Sequence, residues 1–365
     1  MGIIIKRYSD LTSPTFHYGG TVKKVFSPSK WTHLLVNPDG SLDKLDGVTN
    51  TLKRSVDKSA PLIAWARKLA LARARALILE QGLGPDGAIQ IFVEELDKIL
   101  AEAKRADSDA LEAAGECGHD AHKWLELLIL GIMAGNEKRV IELLATFPED
   151  EKAESGCIAA VSWMVAHKVK WLKTEFTALS VRHHCCGTAD GLALVSSCED
   201  KGCCPEAFVD RLSIIDFKTS NYLYATYLWQ AAFYTEAHEE EFPELGPIED
   251  RWILRLDKET AEFDPWHAAG REAQAEDLHG FLCCLNLCRA LDATQARIDK
   301  ILEVKKQLKA EQKALDKLAR DRVECPKAKD YKGVRKTACL PSGEQCEACQ
   351  KIWREKHDSP TPKET

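Results

Sequence analysis

The chain has 365 residues, 45% of them hydrophobic, with 14 cysteines and a formal net charge of -7. That composition supplies a core for one large domain or two ordinary ones; the negative balance excludes a surface attractive to nucleic acid all over, though not a local basic groove beside an acidic metal site. The opening MGIIIKRYSDL lacks the n- and h-regions of a secretory signal, and no stretch approaches about 18 uninterrupted apolar residues, so a soluble, cytoplasmic protein with no membrane partner is expected, its cysteines acting as thiols or metal ligands.

In chain order, the first sixty residues mix short apolar runs with Pro and Gly (SPTFHYGG, FSPSKW, NPDGSL) and predict short strands and loops. Helices follow: one over 60–82 with Pro61 in its first turn, one from 87 (GAIQIFVEELDKILAEAKRA), and others around 109–134, 136–146 and 157–173. From about 174 the texture turns to strands, EFTALSV, GTADGLALV and RLSIIDFK, then to a helix, ATYLWQAAFYTEAHEEEF, and a last strand, EDRWILRLD. This order predicts an α/β (α+β) fold, a mixed core behind a helical N-terminal region. Residues 286–323 are highly charged, with Ile298, Ile301, Leu308, Leu315 and Leu318 in a narrow stripe, and predict a long helix packed along one seam; the tail beyond 350 reads as frayed. The expected divisions are 1–150, 151–285 and 286–365.

One strand poses a chemical puzzle. In Ile214-Ile215-Asp216-Phe217-Lys218, side chains alternate faces, so Ile214, Asp216 and Lys218 share one face and Ile215 and Phe217 the other. A carboxylate and an ammonium in an apolar strand are costly unless compensated. Asp190 lies in the preceding strand, and pairing of the two would bring two carboxylates and an amine together. A hard divalent cation between the carboxylates resolves their repulsion.

In these residues the chain resembles the PD-(D/E)XK nuclease superfamily, specifically its RecB-type exonuclease branch, which includes phage-encoded relatives and the CRISPR-associated iron-sulfur nucleases. That branch carries, in order, an Asp after a Gly-x-x step, a strand ending Asp-x-Lys, and a helix with Gln-x-x-x-Tyr; this chain has Gly187-Thr188-Ala189-Asp190, then Asp216-Phe217-Lys218, then Gln230 and Tyr234. GHDAHKWLE resembles the Gly-x-x-x-His helix motif, which would make His122 a metal ligand, and TEFTALSV resembles the segment that supplies a further acid, Glu175. The resemblance covers roughly residues 45–260 and implies a restriction-endonuclease-like mixed central sheet flanked by helices. It implies a DNA exonuclease dependent on Mg²⁺ or Mn²⁺, in phage-type recombination or repair, with DNA as partner and a recombination or single-strand-binding protein as a second partner. Asp190, Asp216 and the Phe217 carbonyl would hold the ion, His122 and Glu175 would complete its shell, and Gln230 and Tyr234 would orient the lysine or grip phosphate.

Each residue has a plainer reading beside this one. Asp216 with Lys218 is also a strand-end ion pair, Asp190-Gly191 a turn signal, His122 or its neighbour His119 a helix-surface residue, and Gln230 with Tyr234 ordinary helix packing. For Lys218 the ordinary lysine pKa argues against a general base, and nearby carboxylates raise it further, so water positioning and electrostatic stabilisation are its expected roles. A non-catalytic DNA-binding or scaffold protein, or a small-molecule metal hydrolase, are the rival readings.

The cysteines form separate groups. Cys325, Cys339, Cys346 and Cys349 lie in one Pro- and Gly-containing segment ending in Cys-x-x-Cys, a half-site for a structural Zn²⁺; in the resemblance, such flanking cysteines hold a [4Fe-4S] cluster, although here the close pair comes last. Zn²⁺, the cluster and unligated thiols all stay open. Cys185 with Cys186, and Cys198 with Cys203 and Cys204, bracket the Asp190 strand; they could bind a second ion in the inserted loop, but a small buried hydrophobe is the expected role for most of them. Cys283, Cys284 and Cys288 read as helix core.

Overall fold

A computed structural model describes residues 10–56, 59–81, 89, 91–220, 222–320, 323–324 and 338–339. The N-terminal part is a four-stranded antiparallel sheet, β1 (Thr15–His17), β2 (Val22–Ser27), β3 (Thr32–Val36) and β4 (Leu42–Lys44). A short β5 (Asp46–Gly47) follows, and then the helices α1 (Val48–Ser55), α2 (Ser59–Glu80), α3 (Val93–Ala103), α4 (Ala106–Met133), α5 (Glu137–Ala145) and α6 (Glu151–Ala166). The central strands are β6 (Lys170–Ser180), β7 (Cys185–Val195) and β8 (Arg211–Lys218); after α7 (Ala225–Glu241) come β9 (Asp250–Leu256), β10 (Phe263–Ala269) and α8 (Arg271–Arg320). A two-residue pair, β11 (Val323–Glu324) with β12 (Ala338–Cys339), ends the described chain.

The fold is mixed α/β. The central sheet runs β10-β9-β8-β7-β5, with β6 also on β7; β8 and β9 are parallel, as are β5 and β7, and the other neighbours are antiparallel. Alternation along β8 divides two cores. Ile215 and Phe217 join Trp252, Leu254, Trp163 of α6 and Leu125 of α4 on one face. Ile214 joins Leu192, Ile253, Val48 of α1, and Phe233 and Tyr234 of α7 on the other. Trp163, Trp252, Phe233 and Ile214 are fully buried, a burial that contributes about 1.5–3 kcal/mol for each large apolar side chain.

The helix expected from 87 begins at Val93, α1 lies in a stretch read as strands and loops, and β10 follows the strand expected to be last; two further boundaries differ for tertiary reasons. The helix expected over 157–173 spans Glu151–Ala166. The Asp150 carboxylate accepts from the Ala153 N–H at 2.8 Å and caps an earlier start. Lys168, at φ 50°, breaks the helical path, and Lys170 and Trp171 pair with Leu194 and Ala193 instead. The long helix begins at Arg271, not 286, straight after Gly270 at φ 90°. Its added turns bury Phe281, Cys284 and Leu285, and Cys288 just beyond them is buried too, but Cys283 is exposed, which corrects the expected core place of that thiol.

Contacts divide the chain into Met1–Arg289 and Ala290–Thr365, so the segments 1–150 and 151–285 share one unit. In the second unit, Ile298, Ile301, Leu308 and Leu315 are exposed, so the seam expected to cover that stripe is not formed by the described residues of the unit. The side chains of Leu318 and Cys339, the whole of Cys325, Cys346 and Cys349, and the tail beyond 350 lie outside the described residues. No helix among the described residues is long and apolar enough to cross a membrane.

His238 of α7 illustrates what the packing costs. It is buried, edge-on to the Phe176 ring and tilted against that of Phe242, and neither ring nitrogen has a hydrogen-bond partner. Burial first, then Lys173, pushes its pKa down to about 4 against the opposing pull of Glu241, Glu239 and Glu244. The unfolded chain therefore takes up a proton here between about pH 6.5 and 4 while the folded chain does not, and stability falls with pH through that window by about 1.4 kcal/mol per unit. Denaturation of wild type and His238→Leu across that range should show a smaller acid loss in the variant; equal slopes would exclude His238 as the cause.

Candidate functional site

The central sheet contains a fork. On one edge β7 pairs with β8 only from Gly191 to Val195 and with β5 only at Cys185 and Cys186, so Gly187–Asp190 face no strand there. Strand β8 runs on past Ile215 to Lys218, held by β9 through Asp216↔Ile253, Phe217↔Leu254 and Lys218↔Arg255. A side chain spans the gap: Asp190 Oδ2 accepts from the Phe217 N–H at 2.7 Å, where a ladder would have placed a carbonyl. A Cβ on Gly187 would stand 2.8 Å from the Tyr234 ring and from a Val48 methyl, so the glycine lets α7 and α1 close against the fork.

Asp216 and Lys218 meet at the open end of the fork. Asp216 is 1% exposed, and its Oδ2 lies 2.5 Å from Lys218 Nζ without a hydrogen bond of good geometry. Burial pushes the Asp216 carboxyl up, helped by Asp190 and resisted by Lys218. Burial also disfavours the Lys218 charge, but Asp216 and Asp190 together outweigh it and hold the amine above the ordinary lysine value. The lysine therefore stays an ammonium at neutral pH, 5.0 Å from the centre of the Tyr227 ring. Behind it, Gln230 Nε2 donates to the Tyr234 hydroxyl at 2.8 Å, and burial and then Asp216 raise that phenol well above its usual value. This pins a neutral, buried Tyr234 beside the carboxylates.

Three further groups converge on the same place. One ligand atom each from His122, Glu175 and Asp190 lies within 4.8 Å of the others, and His122 Nδ1 is 3.7 Å from Asp190 Oδ2. His122 comes from α4, whose approach depends on Gly118: a Cβ there would fall 2.9 Å from Thr219 Oγ1, directly after Lys218. Glu175 stands between Thr174, paired with Gly191, and Phe176, paired with Ala189, and it adopts φ 44°, a left-handed conformation that a non-glycine residue holds at a cost of about 1–3 kcal/mol. Its carboxyl is pushed up to about 7, by burial first and then by Asp190, Glu126 and Asp216, with Lys123 opposing. Glu175 is an exposed residue that keeps part of its hydration, so the neighbouring charges are the firmer cause. Crowded carboxylates with an imidazole and a buried, poorly bonded Asp216 oxygen form a donor set that fits a divalent cation.

The eight sequence-predicted residues of this centre, His122, Glu175, Asp190, Asp216, Phe217, Lys218, Gln230 and Tyr234, thus lie around the fork. In one respect the arrangement differs from the expected ligand set: Asp216 stands beside the group of His122, Glu175 and Asp190 rather than in it, held by Lys218. The Phe217 N–H is bonded to Asp190 at the fork. Sequence reasoning missed Glu126 and Tyr227, which act on Glu175 and Lys218; Glu126 lies one turn after His122 on α4, a spacing that marks a shared face.

A cleft of about 910 Å³ adjoins the end of β8 at Thr219 and Ser220. Its lining carries Lys152, Arg255 and Lys258 against five carboxylates, so it does not offer a phosphate track. Among the cysteines flanking the Asp190 strand, Cys198, Cys203 and Cys204 gather with His167 into a group that can hold a metal ion, and so are more than small hydrophobes. Cys185 and Cys186 stay apart, buried in β7. No protein-family model matches the chain, and neither does any curated protein.

Proposed function

We propose that the chain is a metal-dependent DNA exonuclease that hydrolyses phosphodiester bonds with Mg²⁺ or Mn²⁺. The observation that carries this reading is the convergence of Asp190, Glu175 and His122 within 4.8 Å of one another, beside a buried ammonium held by Asp216. Asp190, Glu175 and His122 would hold the ion, with Asp216 behind them. A bound divalent ion supplies Lewis acidity toward the phosphate and acidifies an attacking water. Lys218, fixed as an ammonium, places positive charge where the phosphoryl group gains negative charge and orients the nucleophile. Tyr234 and Gln230 form a wall that keeps Asp216 and Lys218 in register. The cytoplasm and phage-type recombination or repair, with a recombination or single-strand-binding partner, are the setting that fits the resemblance to the RecB-type branch.

The test is degradation of end-labelled linear duplex and single-stranded DNA alongside a covalently closed circle. Linear DNA should shorten from its ends with Mg²⁺ or Mn²⁺, the circle should persist, and chelation should stop the reaction. Metal-dependent nicking of the circle would replace exonuclease by endonuclease. DNA binding without cleavage under every divalent ion would favour the scaffold reading instead.

A further inference from the structure

A second set of ligands lies away from the fork, at the far end of the β7–β8 pairing. It joins His167, at the C-cap of α6, to three cysteines of the loop between Val195 and Arg211. Its four ligand atoms all lie within 4.8 Å of one another, and four of the six separations are short contacts. Cys198 and Cys204 Sγ are 3.5 Å apart, Cys203 and Cys204 Sγ 3.8 Å, and His167 Nε2 is 3.4 Å from Cys203 Sγ and 3.7 Å from Cys204 Sγ. A tetrahedral Zn²⁺ with Zn–S of about 2.3 Å and Zn–N of about 2.0–2.1 Å has S···S edges of about 3.8 Å and N···S edges of about 3.6 Å. All four separations fall within a few tenths of an ångström of those edges.

The surroundings select the same chemistry. His167 Nδ1 lies 3.0 Å from the Trp163 carbonyl, which can only accept, so the ring proton sits on Nδ1 and the Nε2 lone pair faces the thiols. The imidazole is fully buried between the Trp163 and Trp252 rings, which fix its plane. The loop is shaped around the sulfurs: the Cys198 N–H points at Cys204 Sγ at 3.4 Å, and the Cys204 N–H donates to the Asp200 carbonyl at 2.8 Å. The Ser196 N–H donates to the His167 carbonyl at 2.9 Å, tying the start of the loop to the same helix end.

We infer that His167, Cys198, Cys203 and Cys204 form a closed structural Zn²⁺ site that staples the β7–β8 loop to the end of α6. Four protein ligands leave no open position, so the ion has no catalytic task. Thiolates this close fit one ion, not the separate irons of a [4Fe-4S] cluster. The site is independent of the proposed nuclease chemistry and of the C-terminal cysteines, and it stands whether or not DNA is cleaved.

The experiment uses the full chain carrying Cys346→Ser and Cys349→Ser, purified without chelator, with metal content measured by mass spectrometry. One equivalent of zinc per chain is expected, and its loss when the partly exposed Cys203 is also changed to Ser, with circular dichroism reporting the fold. Cobalt exchanged into the chain that keeps Cys203 should give the intense ligand-field bands of a tetrahedral ion and thiolate-to-cobalt charge transfer, a readout that survives if the Cys203 variant fails to fold. Thiolate-to-cobalt charge transfer retained after Cys203→Ser, a chain that takes up neither zinc nor cobalt, an iron chromophore in place of zinc, or a cobalt spectrum with no tetrahedral thiolate bands in the chain that keeps Cys203 would each overturn the assignment.

Discussion

Asp190→Asn is expected to reduce cleavage of linear DNA by roughly 10³-fold while leaving the fold intact, the scale at which loss of one preorganised electrostatic group acts. The side chain has two duties that this substitution separates. Its Oδ2 accepts from the Phe217 N–H at 2.7 Å and so closes the fork between β7 and β8. Its charge belongs to the group with His122 and Glu175. An asparagine oxygen keeps the first duty and gives up the second. Asp190→Ala gives up both and should cost a further 1–2 kcal/mol or so of stability, because the Phe217 N–H loses its acceptor. Rates under saturating Mn²⁺ and urea midpoints, measured on both variants, separate the two losses. Near-normal activity in Asp190→Asn would remove the carboxylate from the chemistry.

The second large effect is expected at Lys218. Lys218→Met keeps the apolar stem and removes the ammonium, and cleavage should fall by about 10²–10³-fold. Removing one member of a buried ion pair ordinarily strands a charge. Here Asp216 has a way out: burial and Asp190 already push its carboxyl up, and loss of the lysine pushes it further, so it takes up a proton at neutral pH. Stability should therefore drop modestly and less at pH 6 than at pH 8, since protonation of Asp216 is easier at the lower pH. Lys218→Arg should not restore the rate, because a planar guanidinium does not occupy the place of a compact ammonium 2.5 Å from Asp216. A Lys218→Met chain whose cleavage rate stayed within a few-fold of wild type would reduce the residue to an ion-pair partner.

The legible part of this site was its local part. Asp216 and Lys218 sit two apart on one strand, and Gln230 and Tyr234 four apart on one helix, so face-sharing follows from period alone. The place of Asp190 followed from the expectation that its strand pairs with the Asp216 strand, and the two do pair, but only from Gly191 onward. Where pairing stops is a tertiary fact, and it decides that Asp190 bonds the Phe217 N–H and that Asp216 stands behind the ligands. Of the His167 group only the cysteines, read as able to bind a second ion, were legible; the histidine was not, because it ends a helix two strands before them, and their Cys-x4-Cys-Cys spacing lacks the usual paired half-site. The end of α6 was misplaced because the alternation Lys168-Val169-Lys170-Trp171 is too short to announce a strand and does not reveal that β7 needs a partner.

The most direct test is a Mn²⁺ titration of the full chain, followed by calorimetry and by electron paramagnetic resonance, in wild type, His122→Ala, Asp190→Ala and Lys218→Met. The convergence of His122, Glu175 and Asp190 predicts one site that Mg²⁺ competes for, weakened at least about tenfold in the first two variants and retained in Lys218→Met. Wild-type Mn²⁺ affinity in both Asp190→Ala and His122→Ala would contradict it.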